Sequence, residues 1–359
     1  MDTAAHSTTD RTPRSAIVGT LLAVAVFLAV LLWSKWAPYV GKAIGAWRDH
    51  GWSGSNILAV GGVRPGDAPS WHAATSFLSA YASAVWQALL AALLISASMQ
   101  ALVPGSWIRR LLNRRGRFAS ALAGGVASTP SMMCTCCTAP VAVTLRRRGV
   151  STASVVAYWL GNPLLNPAVL VFLLLVAPWQ WTATRLVVGA ATVFVGAAIV
   201  ARLAGRPAPE ALTQLLEPTE STRPRAVAGR FVGALLRLSL VLLPEYLIMV
   251  LLLGAFRGWL LALGPGGSAA SVAAVTIVAV VGTLAVIPTA GEIPIMQGLA
   301  LIGVSSGVLG ALLITLPAVS VPGIAMVVRT FGWRVTVATT VLVIVAGVIG
   351  GGVLSLLPV

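Results

Sequence analysis

Between Thr129 and Pro167 the chain gathers residues that can ligate, hydrogen-bond and bend: Cys134-Thr135-Cys136-Cys137-Thr138, Pro140, Arg146 to Arg148, Asn162-Pro163 and Asn166-Pro167. The 3 cysteines of the whole chain all lie here. Thiolate sulfur is a soft ligand that prefers ions such as Cu(I), Zn(II) and, by the same logic, trivalent arsenic. Cys134 and Cys136 can converge on one such ion only if the backbone between them is irregular, which Pro130 and Pro140 on either side favour. Cys134 and Cys136 are therefore candidate ligands for a soft ion or arsenic, with Cys137, Thr138 and Pro140 beside them. The competing reading makes these cysteines small apolar residues packed in a tight turn. Cys136 and Cys137 are adjacent, so no disulfide framework stapling distant parts of a fold is expected.

Two prolines four positions apart, Pro163 and Pro167, free backbone carbonyls, and the amides of Asn162 and Asn166 can bond those carbonyls or a substrate. A kinked helix with self-satisfied Asn residues is the plainer alternative. Glu292, in Gly291-Glu292-Ile-Pro294, and Glu245, in Pro244-Glu245-Tyr, are carboxylates inside apolar sequence. Such groups are candidates for proton relay or cation ligation, and equally for structural hydrogen bonds to backbone that Pro244 or Pro294 frees. The basic run Arg146 to Arg148 reads as a topological signal at a helix end, more than as an anion grip. A phosphate-binding Gly-rich loop followed by Lys and Ser or Thr is missing, as is a Ser-His-Asp set, so no enzyme activity and no cofactor is expected.

The housing for these residues is a membrane. Of 359 residues 58% are hydrophobic and only 9% charged, and the mean hydropathy is +0.93. A typical soluble domain carries roughly 25% charged residues. The net charge of +15 would suggest nucleic acid in a soluble protein, but here the basic residues fall in short loops, as orientation signals and lipid contacts. The partners expected are the bilayer and a small-molecule or metalloid substrate, with no nucleic acid; the oligomeric state stays open.

Residues 1–74 read as a retained N-terminal helix, Ala16 to Trp33, followed by an external Trp-rich loop over 34–74. A first membrane repeat covers 75–203. Residues 204–229, with four prolines, three Glu and several Arg, read as a cytoplasmic linker. A second repeat covers 230–359. Sliding residues 135–163 by 154 positions onto 289–317 matches 8 of 29 residues without a gap, among them Pro140 with Pro294, Gly149-Val150-Ser151 with Gly303-Val304-Ser305, and Pro163 with Pro317. Arg-rich loops flank both ends of 118–145, which suggests a re-entrant hairpin, whereas 271–302 has no Lys or Arg at either end and suggests a hairpin from the other side. This scheme places 18 of the 24 Lys and Arg inside and 6 outside. The expected fold is an all-α polytopic membrane protein of two inverted repeats, each with a re-entrant or broken helix. It has about seven spans plus two hairpins, or about nine spans if both interrupted segments cross. The N-terminus is expected in the cytoplasm.

Cys134-Thr-Cys136 followed by Thr138-Ala-Pro140, the basic-Gly149-Val step, Pro163, Asn166-Pro167, Gly291-Glu-Ile-Pro294 and the prolines Pro317 and Pro322 together resemble a predicted-permease family that includes organoarsenical efflux permeases. The resemblance spans roughly residues 80 to 355. It implies a bacterial inner-membrane permease, in some members an exporter of trivalent organoarsenicals whose arsenic is bound by cysteine sulfur, with Cys134 and Cys136 in that role. The expected function is secondary efflux of a small thiophilic solute, such as a trivalent organoarsenical or a soft metal species, with coupling to protons through Glu292 and Glu245. The expected substrate-binding set is Cys134, Cys136, Cys137, Thr138, Pro140, Asn162, Pro163, Asn166, Glu292 and Pro294. The competing functions are a channel-like pore of the same fold, which would not saturate, and a membrane assembly factor, which would carry no flux.

Overall fold

The computed structural model describes residues 13–49, 57–205, 224–262, 272–301 and 303–357, all helical or connecting. Within these, the side chains of residues 13–16, 58–59, 224–226, 241–242, 245–246 and 260–262 also lie outside the description.

Helix α1 (Pro13–Leu31) runs through a π-helical stretch, Leu32–Trp36, into α2 (Ala37–Asp49). The composition of 34–74, rich in Gly, Pro, Ser and Trp, led to a loop there; instead the apolar face of the first helix continues for four more turns and carries buried Lys35 and Tyr39 inward. Helix α3 (Trp71–Leu102) follows, started by Ser70, whose hydroxyl accepts from the Ala73 amide. Next come α4 (Gly105–Leu112), α5 (Arg117–Ser128), α6 (Thr135–Arg147), α7 (Thr152–Leu164), α8 (Pro167–Val176), α9 (Trp179–Ala190) and α10 (Ala197–Leu203), the last two joined by a π-helical stretch. The second half contains α11 (Pro224–Ala262), α12 (Val272–Leu284), α13 (Glu292–Leu301), α14 (Ser306–Ala318), α15 (Val321–Phe331) and α16 (Trp333–Leu356).

Among the described residues, five helical stretches are long and apolar enough to cross a membrane: Ile17–Asp49, Trp71–Leu102, Thr152–Val176, Trp179–Leu203 and Trp333–Leu356. A sixth is the pair α14 and α15, bent by 52° at its break. The protein is thus a multi-pass helical membrane protein whose spans contact the bilayer. The remaining long helix, α11, contains a shorter apolar run, Leu247–Trp259.

The segment α5–α6 is too short in each arm to cross. Twelve or thirteen residues span about 20 Å at 1.5 Å per residue, against roughly 30 Å of hydrocarbon. Its two ends meet again. Asn113, ahead of α5, donates to the Gly149 carbonyl at 3.1 Å and accepts from the Ser151 amide at 2.7 Å, both beyond α6. Arg148 bonds the carbonyls of Met99, Gln100 and Val103 at the end of α3. The basic run is therefore partly a clasp that ties the return of the hairpin to its departure.

Close backbone contact holds the hairpin in place. A Cβ on Gly124 of α5 would run into the Ser154 carbonyl of α7, and one on Gly310 of α14 would meet the Gly350 carbonyl of α16. Small residues at such crossings let helices approach where lipid supplies no hydrophobic drive between them.

Candidate functional site

The tip of the first hairpin is a short 3₁₀ turn, Thr129–Ser131, followed by Met132 in the left-handed region at φ 47°. That reversal is braced by Asn162, fully buried on α7. Its Oδ1 accepts from Ser131 Oγ at 2.5 Å and the Met133 amide at 3.3 Å, while its Nδ2 donates to the Tyr158 carbonyl at 2.9 Å. From outside, the indole of Trp36 donates to the Pro130 carbonyl at 2.9 Å. Asn162 therefore supports the loop that presents the cysteines.

Cys134 caps α6, and Cys136 and Cys137 occupy its first turn, all free and buried. Cys134 Sγ lies 3.2 Å from Cys136 Sγ and 3.0 Å from Cys137 Sγ, and all three sulfurs fall within 4.8 Å of one another. Cys136 Sγ also lies 3.2 Å from the Tyr81 hydroxyl of α3. The irregular backbone expected between the cysteines is present at Cys134, which is extended before the helix begins. With metal–sulfur bonds of about 2.3 Å, three sulfurs around one ion stand about 4 Å apart, so a bound ion would spread this cluster by somewhat less than 1 Å. Thr138 turns away from the cluster: its hydroxyl donates to the Cys134 carbonyl at 2.9 Å. Pro140 lies further along α6, within the buried helix.

A buried cation is electrostatically coupled to the sulfurs. Lys35, 6% exposed, interacts electrostatically with Cys134 and Cys137. Its Nζ donates to Tyr39 Oη at 3.1 Å and to Thr289 Oγ1, at the second tip, at 3.4 Å. Lys35 thus links the first hairpin tip to the second. Nothing in the sequence around it marks it out except its place just past the end of an apolar run.

The second tip, residues 285–291, contains Ala290 at φ 68°, the other non-glycine residue in the left-handed region among those described. Glu292 follows at the start of α13, buried, and it is not alone: Arg185 of α9 donates Nη1 to its Oε1 at 2.7 Å, the one salt bridge among the described residues. The same guanidinium donates Nη2 to the Pro163 carbonyl at 2.7 Å and Nε to the Leu164 carbonyl at 3.3 Å. The carbonyls freed by the break after α7 are thus answered by Arg185. Charge counting assigns Arg185 and Arg257 to outer loops; both are buried on helices. Arg257 instead bonds the carbonyls of Ala73 and Val60. The signal for Arg185 was a lone arginine within the apolar run that follows Trp181, inside the membrane helix.

The two helix breaks are capped unequally. Asn166 Oδ1 accepts from the Ala168 and Val169 amides and starts α8 with Pro167 at its first position. Its Nδ2 is buried without a partner. Ser320, 154 positions later, precedes α15 with no capping bond, and its buried Oγ also has no partner. The first tip reaches this second break directly, because Thr135 Oγ1 donates to the Pro317 carbonyl at 2.5 Å. Pro294 lines a cavity beside the second tip. The Glu245 side chain lies outside the described residues.

Buried hairpin tips, broken helices and a cluster of soft ligands inside a multi-pass bundle are features of membrane permeases. The chain belongs to the predicted-permease family ArsP_1, whose model matches residues 70–356. It is also similar to the UPF0718 protein YraQ of Escherichia coli (strain K12), 41% identical over 330 residues that cover 91% of this chain and 92% of YraQ. No solved structure matches.

Proposed function

We propose that this permease exports a small thiophilic solute, such as a trivalent organoarsenical or a soft metal species, across the bacterial inner membrane by alternating access. The observation that carries the reading is the triad of free, buried thiols at Cys134, Cys136 and Cys137, within 4.8 Å of one another. Soft sulfur ligands gathered in one place favour soft cargo. In this reading Cys134 and Cys136 bind the substrate, Cys137 completes the set, and Thr138, Asn162 and Asn166 keep the tip and the break in shape. The sequence repeat supports two halves of opposite orientation, with the N-terminus in the cytoplasm. A buried Arg185–Glu292 pair is the element that a bound proton would release, so Glu292 is the coupling candidate that the geometry favours. Glu245 remains a second candidate from the sequence.

The test is resistance. Cells that depend on this protein and carry Cys134→Ser with Cys136→Ser should lose resistance to methylarsenite while keeping the protein in the membrane. Unchanged resistance would remove the thiol mechanism. Flux that fails to saturate in proteoliposomes would favour a pore.

A further inference from the structure

A cavity of about 360 Å³ opens between α1–α2, α3 and the second tip. Among the described residues its charged lining residues are Lys35 and Lys42, with no Asp or Glu. Tyr39, Thr289 and Ser34 supply hydroxyls. Ser34 Oγ is buried without a hydrogen-bond partner, although the residue is only 6% exposed. Lys35 has two hydroxyl partners and no carboxylate, since the described residues contain one salt bridge and it is elsewhere. A buried ammonium bonded only to hydroxyls is incompletely compensated, and a bound anion relieves that cost. The size is that of a small-ligand site.

We propose that this cavity binds the substrate as an anion, and that the substrate class is an oxyanion of a soft p-block element. Such a molecule carries the two features that the walls recognise. Its negative oxygens suit the ammonium groups of Lys35 and Lys42 and the free hydroxyl of Ser34. Its soft, electron-accepting central atom suits thiol sulfur, and Lys35, on the cavity wall, interacts electrostatically with Cys134 and Cys137. The cavity is then the antechamber of the thiol cluster: charge selects at Lys35, softness at the cysteines. This inference rests on the thiol cluster being the binding site and adds the charge of what it binds.

The experiment uses the full-length protein in proteoliposomes, with radiolabelled selenite and tellurite as probes and methylarsenite as a neutral comparison. Flux of at least one anion should saturate and change with an imposed membrane potential. Lys35→Met should lower it by about tenfold or more, the loss expected of a charge-assisted hydrogen bond, and Lys35→Arg should retain most of it. Ser34→Ala and Lys42→Met, both at the cavity wall, should each raise the half-saturating concentration and leave methylarsenite flux unchanged. These two variants also cover the case in which Lys35→Met fails to fold. If neither anion moves, or if Lys42→Met and Ser34→Ala leave anion flux unaltered, the anion site is overturned while the thiol reading stands. If Cys134→Ser with Cys136→Ser moves both anions normally and only the cavity variants fail, the anion site stands and the thiol reading falls.

Discussion

The two hairpin tips, at Thr129–Ser131 and at residues 285–291, are built from opposite chemistry. The first presents three thiols and is held by neutral hydrogen bonds from Asn162 and Trp36. The second presents a carboxylate and is held by an ion pair to Arg185. Their contacts also cross. The first tip bonds the Pro317 carbonyl at the second break, and the second tip reaches the Pro163 and Leu164 carbonyls at the first break through Arg185. One tip is thus suited to bind, the other to lock. Removing a neutral bond leaves a small debt, whereas removing half of a buried ion pair leaves an uncompensated charge.

The sharpest way to break this contrast is at Arg185. Arg185→Leu should destabilise the protein by about 3–5 kcal/mol, because Glu292 and two carbonyls lose their partner. The double variant Arg185→Leu with Glu292→Leu should recover much of that loss. Thermal unfolding in detergent or nanodiscs reads both, and a double variant no better than the single would show that the two residues do not act as a pair.

The next effect falls on binding. Cys134→Ser with Cys136→Ser should weaken Cd²⁺ or methylarsenite binding by more than the roughly 10–100-fold that a lost supporting residue costs a metal site. Stability should fall by about 1–3 kcal/mol, since each substitution puts a hydroxyl in place of a buried, weakly polar thiol. Calorimetric binding alongside an unfolding curve separates the two. A large stability loss with binding intact would reverse the roles assigned to the tips.

Smaller effects probe how the first tip is held. Asn162→Ala should cost about 1–3 kcal/mol, because the Met133 amide is left unsatisfied in a buried loop and Ser131 keeps only its bond to the Ser128 carbonyl. It should also speed alkylation of the cysteines by N-ethylmaleimide, as the loop opens. Trp36→Phe removes one hydrogen bond to Pro130 and should cost about 0.5–1.5 kcal/mol. If Trp36→Phe matters more than Asn162→Ala, the N-terminal helix and not α7 is the principal brace.

Much of this could be read before any fold was known. Twenty or more apolar residues in succession can only be spans, proline and glycine mark where helices fail, and cysteine chemistry is a property of the side chain itself. The membrane class, the interrupted segments at 118–145 and 271–302, the breaks at Pro163 and Pro317 and the thiol cluster all follow from such local rules. The helix at 37–49 escaped them because Gly and Pro are loop-forming on average, while here a face packed against α8, with Tyr39 edge-on to Phe172, outweighs propensity.

The partners of the site belong to the tertiary structure alone. Lys35 meets Thr289 across 254 positions, and Arg185 meets Glu292 across 107. A sequence shows that a lysine or an arginine sits in an apolar run, where burial makes it expensive. Which carboxylate, carbonyl or thiol answers it depends on how helices distant in the chain pack against one another. The composition and the motif therefore determined which side chains carry chemistry; packing decided that Lys35 lines a cavity and bonds the second tip, and that Glu292 pairs with Arg185.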